Sequence, residues 1–130
     1  MNPTISYPRK ADTPVSHLPF SPAVQVGELI FISGQASVDA TGAIVADTFE
    51  GEFRRSVENL RKVLETAGSD LKHVVQTRNY LRDPANLARY NELYREYFSA
   101  PFPARTTITN CLPIALQFEI ECVAVPTSTR

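Results

Sequence analysis

Phe102-Pro103-Ala104-Arg105-Thr106-Thr107-Ile108-Thr109-Asn110, followed after a short connection by Gln117-Phe118-Glu119-Ile120-Glu121, carries the reading that decides the fold. Residues 106–110 are β-branched up to the last position, and residues 118–125 are almost continuously apolar apart from their glutamates. Each run therefore reads as a strand. Each also holds a charge where a core strand buries itself, Arg105 opening the first and Glu119 near the start of the second. The connection, residues 111–116, contains Pro113 and is short enough for the strands to pair as neighbours or return to one sheet. A guanidinium and a carboxylate at the ends of two adjacent core strands make a candidate site for an anion and a water. A structural ion pair at a sheet edge is the simpler account from composition.

Upstream, residues 73–81 have the β-branched and aromatic content of a strand. Alternation sends Val75, Thr77, Asn79 and Leu81 one way and Val74, Gln76, Arg78 and Tyr80 the other. Asp83-Pro84 then starts a helix, with Asp as N-cap and Pro at the first helical position. Its apolar stripe is Leu87, Tyr90, Tyr94, Tyr97 and Phe98, and Asn91 shares that stripe. An amide on a buried face either bonds nearby backbone, which composition favours, or points into a polar pocket. An earlier helix is announced by Asp47-Thr48-Phe49-Glu50, which resembles a capping box with Asp47 as cap and Glu50 closing it. Phe53, Val57, Leu60, Leu64 and Ala67 line one face, and Gly68 ends it after about five turns.

Before that helix, residues 23–26 and 29–32 read as a hairpin turning at Gly27-Glu28, with Ser33-Gly34-Gln35 closing the second strand. A glycine there lets a backbone or a ligand approach closely, or simply makes a bend. Residues 43–45 form a weak strand. Residues 1–22 hold five of the ten prolines and read as extended or irregular, with a short edge strand near residues 4–7 and a lone loop histidine, His17, lacking an orienting partner. The order is strands, helix, strand, helix, two strands: an α+β domain spanning residues 1–130, with both helices on one face of a mixed sheet. Apolar residues on both sides of several strands require cover for the second face, which implies a homo-oligomer.

Composition narrows function. The chain has 130 residues, 43% hydrophobic and 21% charged, with a net charge of −1. No basic run suggests a nucleic-acid footprint. No apolar stretch reaches membrane-spanning length and no signal peptide is visible, so a cytoplasmic location is expected. His17, His73, Cys111 and Cys122 show no metal-ligand spacing, and no metal is expected.

Taken together, Val26-Gly27, Phe31-Ile32-Ser33-Gly34-Gln35, Tyr90-Asn91, Tyr94, Phe98, Phe102-Pro103-Ala104-Arg105 and Phe118-Glu119-Ile120-Glu121 resemble the Rid/YjgF family of reactive-intermediate deaminases. The resemblance implies a chorismate-mutase-like fold, assembled as a homotrimer with helices outside, a central barrel and clefts between subunits. It implies a cofactor-independent hydrolysis of small 2-imino or enamino acids to 2-keto acids and ammonium. Carried over, Arg105 grips the substrate carboxylate and Glu119 positions water. Asn91 is the helix asparagine of the cleft, and Gly34 presents its backbone to the ligand. Phe20 stands where deaminating members often carry tyrosine, and Thr107 where a cysteine is common, so substrate choice is the point of departure. Deamination of another catabolic enamine and non-catalytic carboxylate binding use the same arginine. A ribonuclease activity attributed to relatives sits poorly with the charge balance.

Overall fold

The computed structural model describes residues 4–10 and 17–127; Pro3 and Pro14 of the proline-rich segment lie outside them. Strands β1 (Ile5–Ser6), β2 (Ala23–Val26), β3 (Leu29–Ala36), β4 (Val74–Leu81), β5 (Ala104–Thr109) and β6 (Phe118–Ala124) form a single sheet in the order β1-β2-β3-β6-β4-β5. Helices α1 (Phe49–Thr66) and α2 (Leu87–Tyr97) complete the α+β architecture. β2 and β3 form the expected hairpin, turning at Gly27 with φ 59°. Residues 43–45 make only an isolated bridge, Val38 to Ile44, because the Asp39 carboxylate collects the amides of Thr41 and Ala43 into a turn.

The two strands at the chain's end share the sheet but are not neighbours. β4 lies between them, antiparallel to β6 and parallel to β5. A parallel pair needs a long crossover, and α2 supplies it. β4 also departs from strict alternation. A register shift between Val74 and Gln76 turns Val74 into the core and leaves Val75 45% exposed, while Thr77, Asn79 and Leu81 stay buried. An extra residue in one strand sends the side chains before it to the other face.

Phe53, Val57, Leu60 and Leu64 are all buried against the sheet, as their spacing requires. The α1 cap sits one residue later than the capping-box reading. Thr48 Oγ1 accepts the Gly51 amide at 3.1 Å, and the returning carboxylate is Glu52, which accepts the Asp47 amide at 3.2 Å. Glu50 instead pairs with Arg54 and Arg89 on the surface. Glu52 is 2% exposed and also accepts the Gln117 backbone amide at 2.9 Å and its side-chain amide at 3.2 Å. One carboxylate thus ties the start of α1 to the entry of β6.

Asp83 caps a short 3₁₀ turn, Pro84–Asn86, and α2 proper begins only after it. On α2 the buried positions are Tyr90, Leu93, Tyr94 and, just past its end, Phe98; Leu87 of the expected stripe lies on the exposed first turn. Phe53 joins the layers, its ring centroid 4.6 Å from Phe118 and 6.2 Å from Tyr90. The sheet face turned away from the helices leaves Leu29, Phe31 and Ile108 exposed. The β5–β6 connection passes through two left-handed residues, Asn110 (φ 60°) and Leu112 (φ 80°). Arg82 donates to the carbonyls of Ile114 and Leu116, and Ile114 stands 86% exposed.

Removing the Glu52 carboxylate strands buried amides, whereas Glu50 faces water. Glu52→Ala should lower unfolding stability by about 2–3 kcal/mol in denaturant titration, with Glu50→Ala changing the midpoint far less. Equal effects would refute the clamp.

Candidate functional site

Arg105 is the second residue of β5 and lies in register with Thr77 of β4. Thr77 is buried beneath α2, so Arg105 points to that same side, where its guanidinium carbon sits 4.9 Å from the Tyr90 ring centroid and 4.9 Å from that of Tyr94. A guanidinium over two aromatic faces is held by their quadrupoles while its N–H groups remain available. The rings are fixed in turn by their hydroxyls. Tyr94 shares a 2.8 Å hydrogen bond with Thr77, and Tyr90 shares one of 2.8 Å with Thr107. Asn79, fully buried, donates to Thr77 at 3.0 Å and to the Thr106 carbonyl at 3.3 Å. Burial pushes the Tyr90 phenol up to about 12 and raises that of Tyr94, so both are neutral aromatic supports at ordinary pH.

Arg105 opens on a cavity of about 260 Å³ lined also by Asn91, Tyr94, Arg95, Phe102 and Pro103. Asn91 lines this space; its side chain has no hydrogen-bond partner among the described residues, and its main-chain carbonyl accepts from the Arg95 guanidinium at 3.4 Å. Two of the expected site residues, Arg105 and Asn91, therefore come together. Thr107 stands beside them on β5, its hydroxyl committed to Tyr90.

Glu119 lies elsewhere. It sits between buried Phe118 and Ile120 on β6, so alternation sends it to the face away from the helices. Burial raises its carboxyl above the usual carboxylate range, and nearby Glu121 adds to the effect. Gly34 occupies the irregular step of β3 between Ile32 and Gln35. A β-carbon there would run into the Glu119 carboxylate, so the glycine makes room for that acid. Phe20 is exposed, and the chain after it is tied to this same end of β3: the Ser33 hydroxyl donates to the Ser21 carbonyl at 2.5 Å and the Ser33 amide to that of Pro22 at 2.9 Å. Gly34, Glu119 and the segment following Phe20 form one group; Arg105, Asn91 and Thr107 form another. The sheet separates them, and β4 stands between their strands. Within one chain Arg105 and Glu119 do not meet.

Sequence reasoning missed the tyrosine support and Arg95. The signal for the first was two tyrosines, rather than leucines, on the stripe beside Asn91; Arg95, four residues beyond Asn91, was in place to share its face. Among the described residues no three His, Cys, Asp or Glu side chains are grouped to hold a metal ion, and no helix is long and apolar enough to cross a membrane.

Comparison with known proteins places this arrangement in a family. The family model described as Endoribonuclease L-PSP matches residues 10–126. A RutC family protein from Pyrococcus abyssi is 37% identical over 122 residues, covering 92% of this chain and 94% of the relative. The 2-iminobutanoate/2-iminopropanoate deaminase of Mus musculus is 38% identical over 109 residues, covering 82% and 81%. The crystal structure of E. coli TdcF with bound serine superposes with a TM-score of 0.81 at 28% identity, covering 94% of this chain and 99% of that one. The chain belongs to the endoribonuclease L-PSP family, the Rid/YjgF family of the sequence resemblance.

Two measurements check the local physics. Tyr94→Phe keeps the ring beneath Arg105 but leaves Thr77 without its phenol, and should cost about 1 kcal/mol of stability. Combined with Thr77→Val, the loss should be smaller than the sum of the single losses; strict additivity would show that the hydroxyls are not coupled. The Glu119 carboxyl has a raised folded-state pKa, so its ionised form weighs against the folded state at high pH, and the chain gains stability as pH falls through that pKa. The stability advantage of Glu119→Gln over the parent should be greatest above that pKa and shrink as pH is lowered. An advantage constant with pH would reject the desolvation account.

Proposed function

We propose that this protein hydrolyses reactive 2-imino and enamino acids to 2-keto acids and ammonium without a cofactor. Arg105 binds the substrate carboxylate, and Glu119 handles the water. The observation that carries the reading is the Arg105 guanidinium, set on two neutral aromatic rings at the mouth of a cavity, with no carboxylate partner among the described residues. Such a group is prepared for an incoming carboxylate, which it can take through two parallel N–H donors. Relatives named for imine deamination, such as the mouse protein, support the reaction class.

The carbon of a C=N bond is already electrophilic. Water adds to the carbon of the protonated imine as the Glu119 carboxylate takes one of its protons, which gives the neutral tetrahedral aminol. Glu119 passes that proton to the nitrogen and then accepts the hydroxyl proton as the aminol collapses, so the C–N bond breaks, the C=O bond forms and ammonia leaves, taking that last proton as ammonium. A carboxyl raised by desolvation suits both directions of that transfer better than an ordinary one. Asn91 and the Gly34 backbone would orient the substrate.

Because Arg105 and Glu119 face opposite sides of one sheet, the proposal requires copies of the chain to combine, Arg105 from one with Glu119 from the next. The exposed apolar residues Leu29, Phe31 and Ile108 on the helix-free face support burial against further copies, and a closed ring of three is the expected assembly. The ribonuclease named in the family description has less to stand on here, because Arg54, Arg55, Arg61, Arg78 and Arg89 are each occupied by a carboxylate.

The test is an imino-acid assay, with an amino-acid oxidase generating the substrate and keto-acid release as the readout. The parent should accelerate release, and Arg105→Ala and Glu119→Ala should each lose it at least a hundredfold. Co-refolding the two variants in equal amounts should restore about a quarter of the parent activity, since that share of shared clefts receives both intact residues. No recovery, with a normal assembly by ultracentrifugation, would reject the two-chain site. Binding of the keto acid by a parent with no turnover would replace catalysis by carboxylate binding.

A further inference from the structure

We infer that the cavity is built for an acid with a second anionic group, and that Arg95 recognises that group. The inference rests on the reading of Arg105 as the grip for the first carboxylate and adds the substrate class. Asn91, Tyr94 and Arg95 stand at positions i, i+3 and i+4 of α2 and line one space with Arg105. Arg95 is exposed, and its hydrogen bond is to the Asn91 carbonyl at 3.4 Å. Among the described residues of its own chain, no aspartate or glutamate lines the cavity.

Elsewhere on the folded body Arg54, Arg55, Arg61, Arg78 and Arg89 lie within 4.0 Å of a carboxylate and Arg82 is taken up by loop carbonyls, while Arg9, in the N-terminal segment, has no carboxylate partner among the described residues. The acids flanking Arg95 on its own helix are occupied elsewhere, Glu92 by Arg89 and Glu96 by Arg54. Two guanidiniums with no carboxylate partner among the described residues of their own chain therefore share one recess. The rings of Tyr94 and Phe102 and the Pro103 ring give the recess apolar walls. A monocarboxylic acid on Arg105 leaves the second cation unmatched, whereas an acid with a terminal carboxylate on its side chain meets both. A cation in the last turn of a helix also complements the helix dipole. That role alone gives no reason for binding to depend on a ligand's second charge, and the following ratio separates the two.

The experiment is calorimetric titration of the assembled protein with 2-oxopentanedioate and with 2-oxopentanoate, which are matched in length and differ in the terminal carboxylate. The parent should bind the diacid at least tenfold tighter, about 1.4 kcal/mol. In Arg95→Gln that ratio should fall toward one with the melting temperature retained, and Arg95→Lys should restore part of it. The corresponding imines, generated in the oxidase assay, should show the same ratio in kcat/KM. Equal affinities in the parent, or a ratio that survives Arg95→Gln, would overturn the inference. Turnover of both imines at equal efficiency would leave the deaminase reading standing and reject this one. Selective diacid binding without turnover would do the reverse.

Discussion

A β-strand offers successive side chains to opposite faces of its sheet, and here only one face is covered by helices. The placement of every functional group depends on that division. Arg105 follows Thr77 and faces α2, while Glu119 lies between Phe118 and Ile120, both buried against the helices, and must face away. No rotamer change can carry either group through the sheet, because the backbone hydrogen bonds between β5, β4 and β6 fill the plane between them. The proposed reaction therefore calls for copies of the chain to combine, because one chain presents Arg105 and Glu119 on opposite sides of its own sheet.

The helix-side half is positioned by buried hydroxyls. Apolar residues at positions 90 and 94 could have filled the same volume, but they would leave Thr77 and Thr107 without the phenol partners they now have. The phenols satisfy those polar atoms and at the same time present their faces to Arg105. Packing of the core and orientation of the guanidinium are thus the same set of contacts, continued through Tyr90 to Phe53 and the first helix.

Much of this was legible in the chain. The spacing of Phe53, Val57, Leu60 and Leu64 specified α1 and Gly27 specified the hairpin turn. Arg105 and Asn91, which the family resemblance had put together, line one cavity. Four features were not, each for a physical reason. The α1 cap moved from Asp47 to Thr48 because Glu52, rather than Glu50, could be buried beneath Gln117, a contact between residues far apart in sequence. The bulge in β4 reversed Val74 and Val75, since a register shift is decided by the partner strand. The insertion of β4 between β5 and β6 follows from the parallel pairing that α2 makes possible, and a short connection between two strands does not reveal it. The contact of Gly34 with Glu119 depends on the irregular step in β3, so a glycine at a strand end could be read as a bend as readily as a site.

The loop beyond β5 has a further consequence. It turns through two left-handed residues, Arg82 holds two of its carbonyls, and Ile114 projects into solvent. Ordering a loop on contact costs roughly 1–2 kcal/mol for each residue immobilised. Here that ordering is supplied by the fold itself, so a surface that docks against Ile114 meets an apolar knob already in place. Shape match, rather than the capacity of the loop to adapt, then sets which surfaces fit.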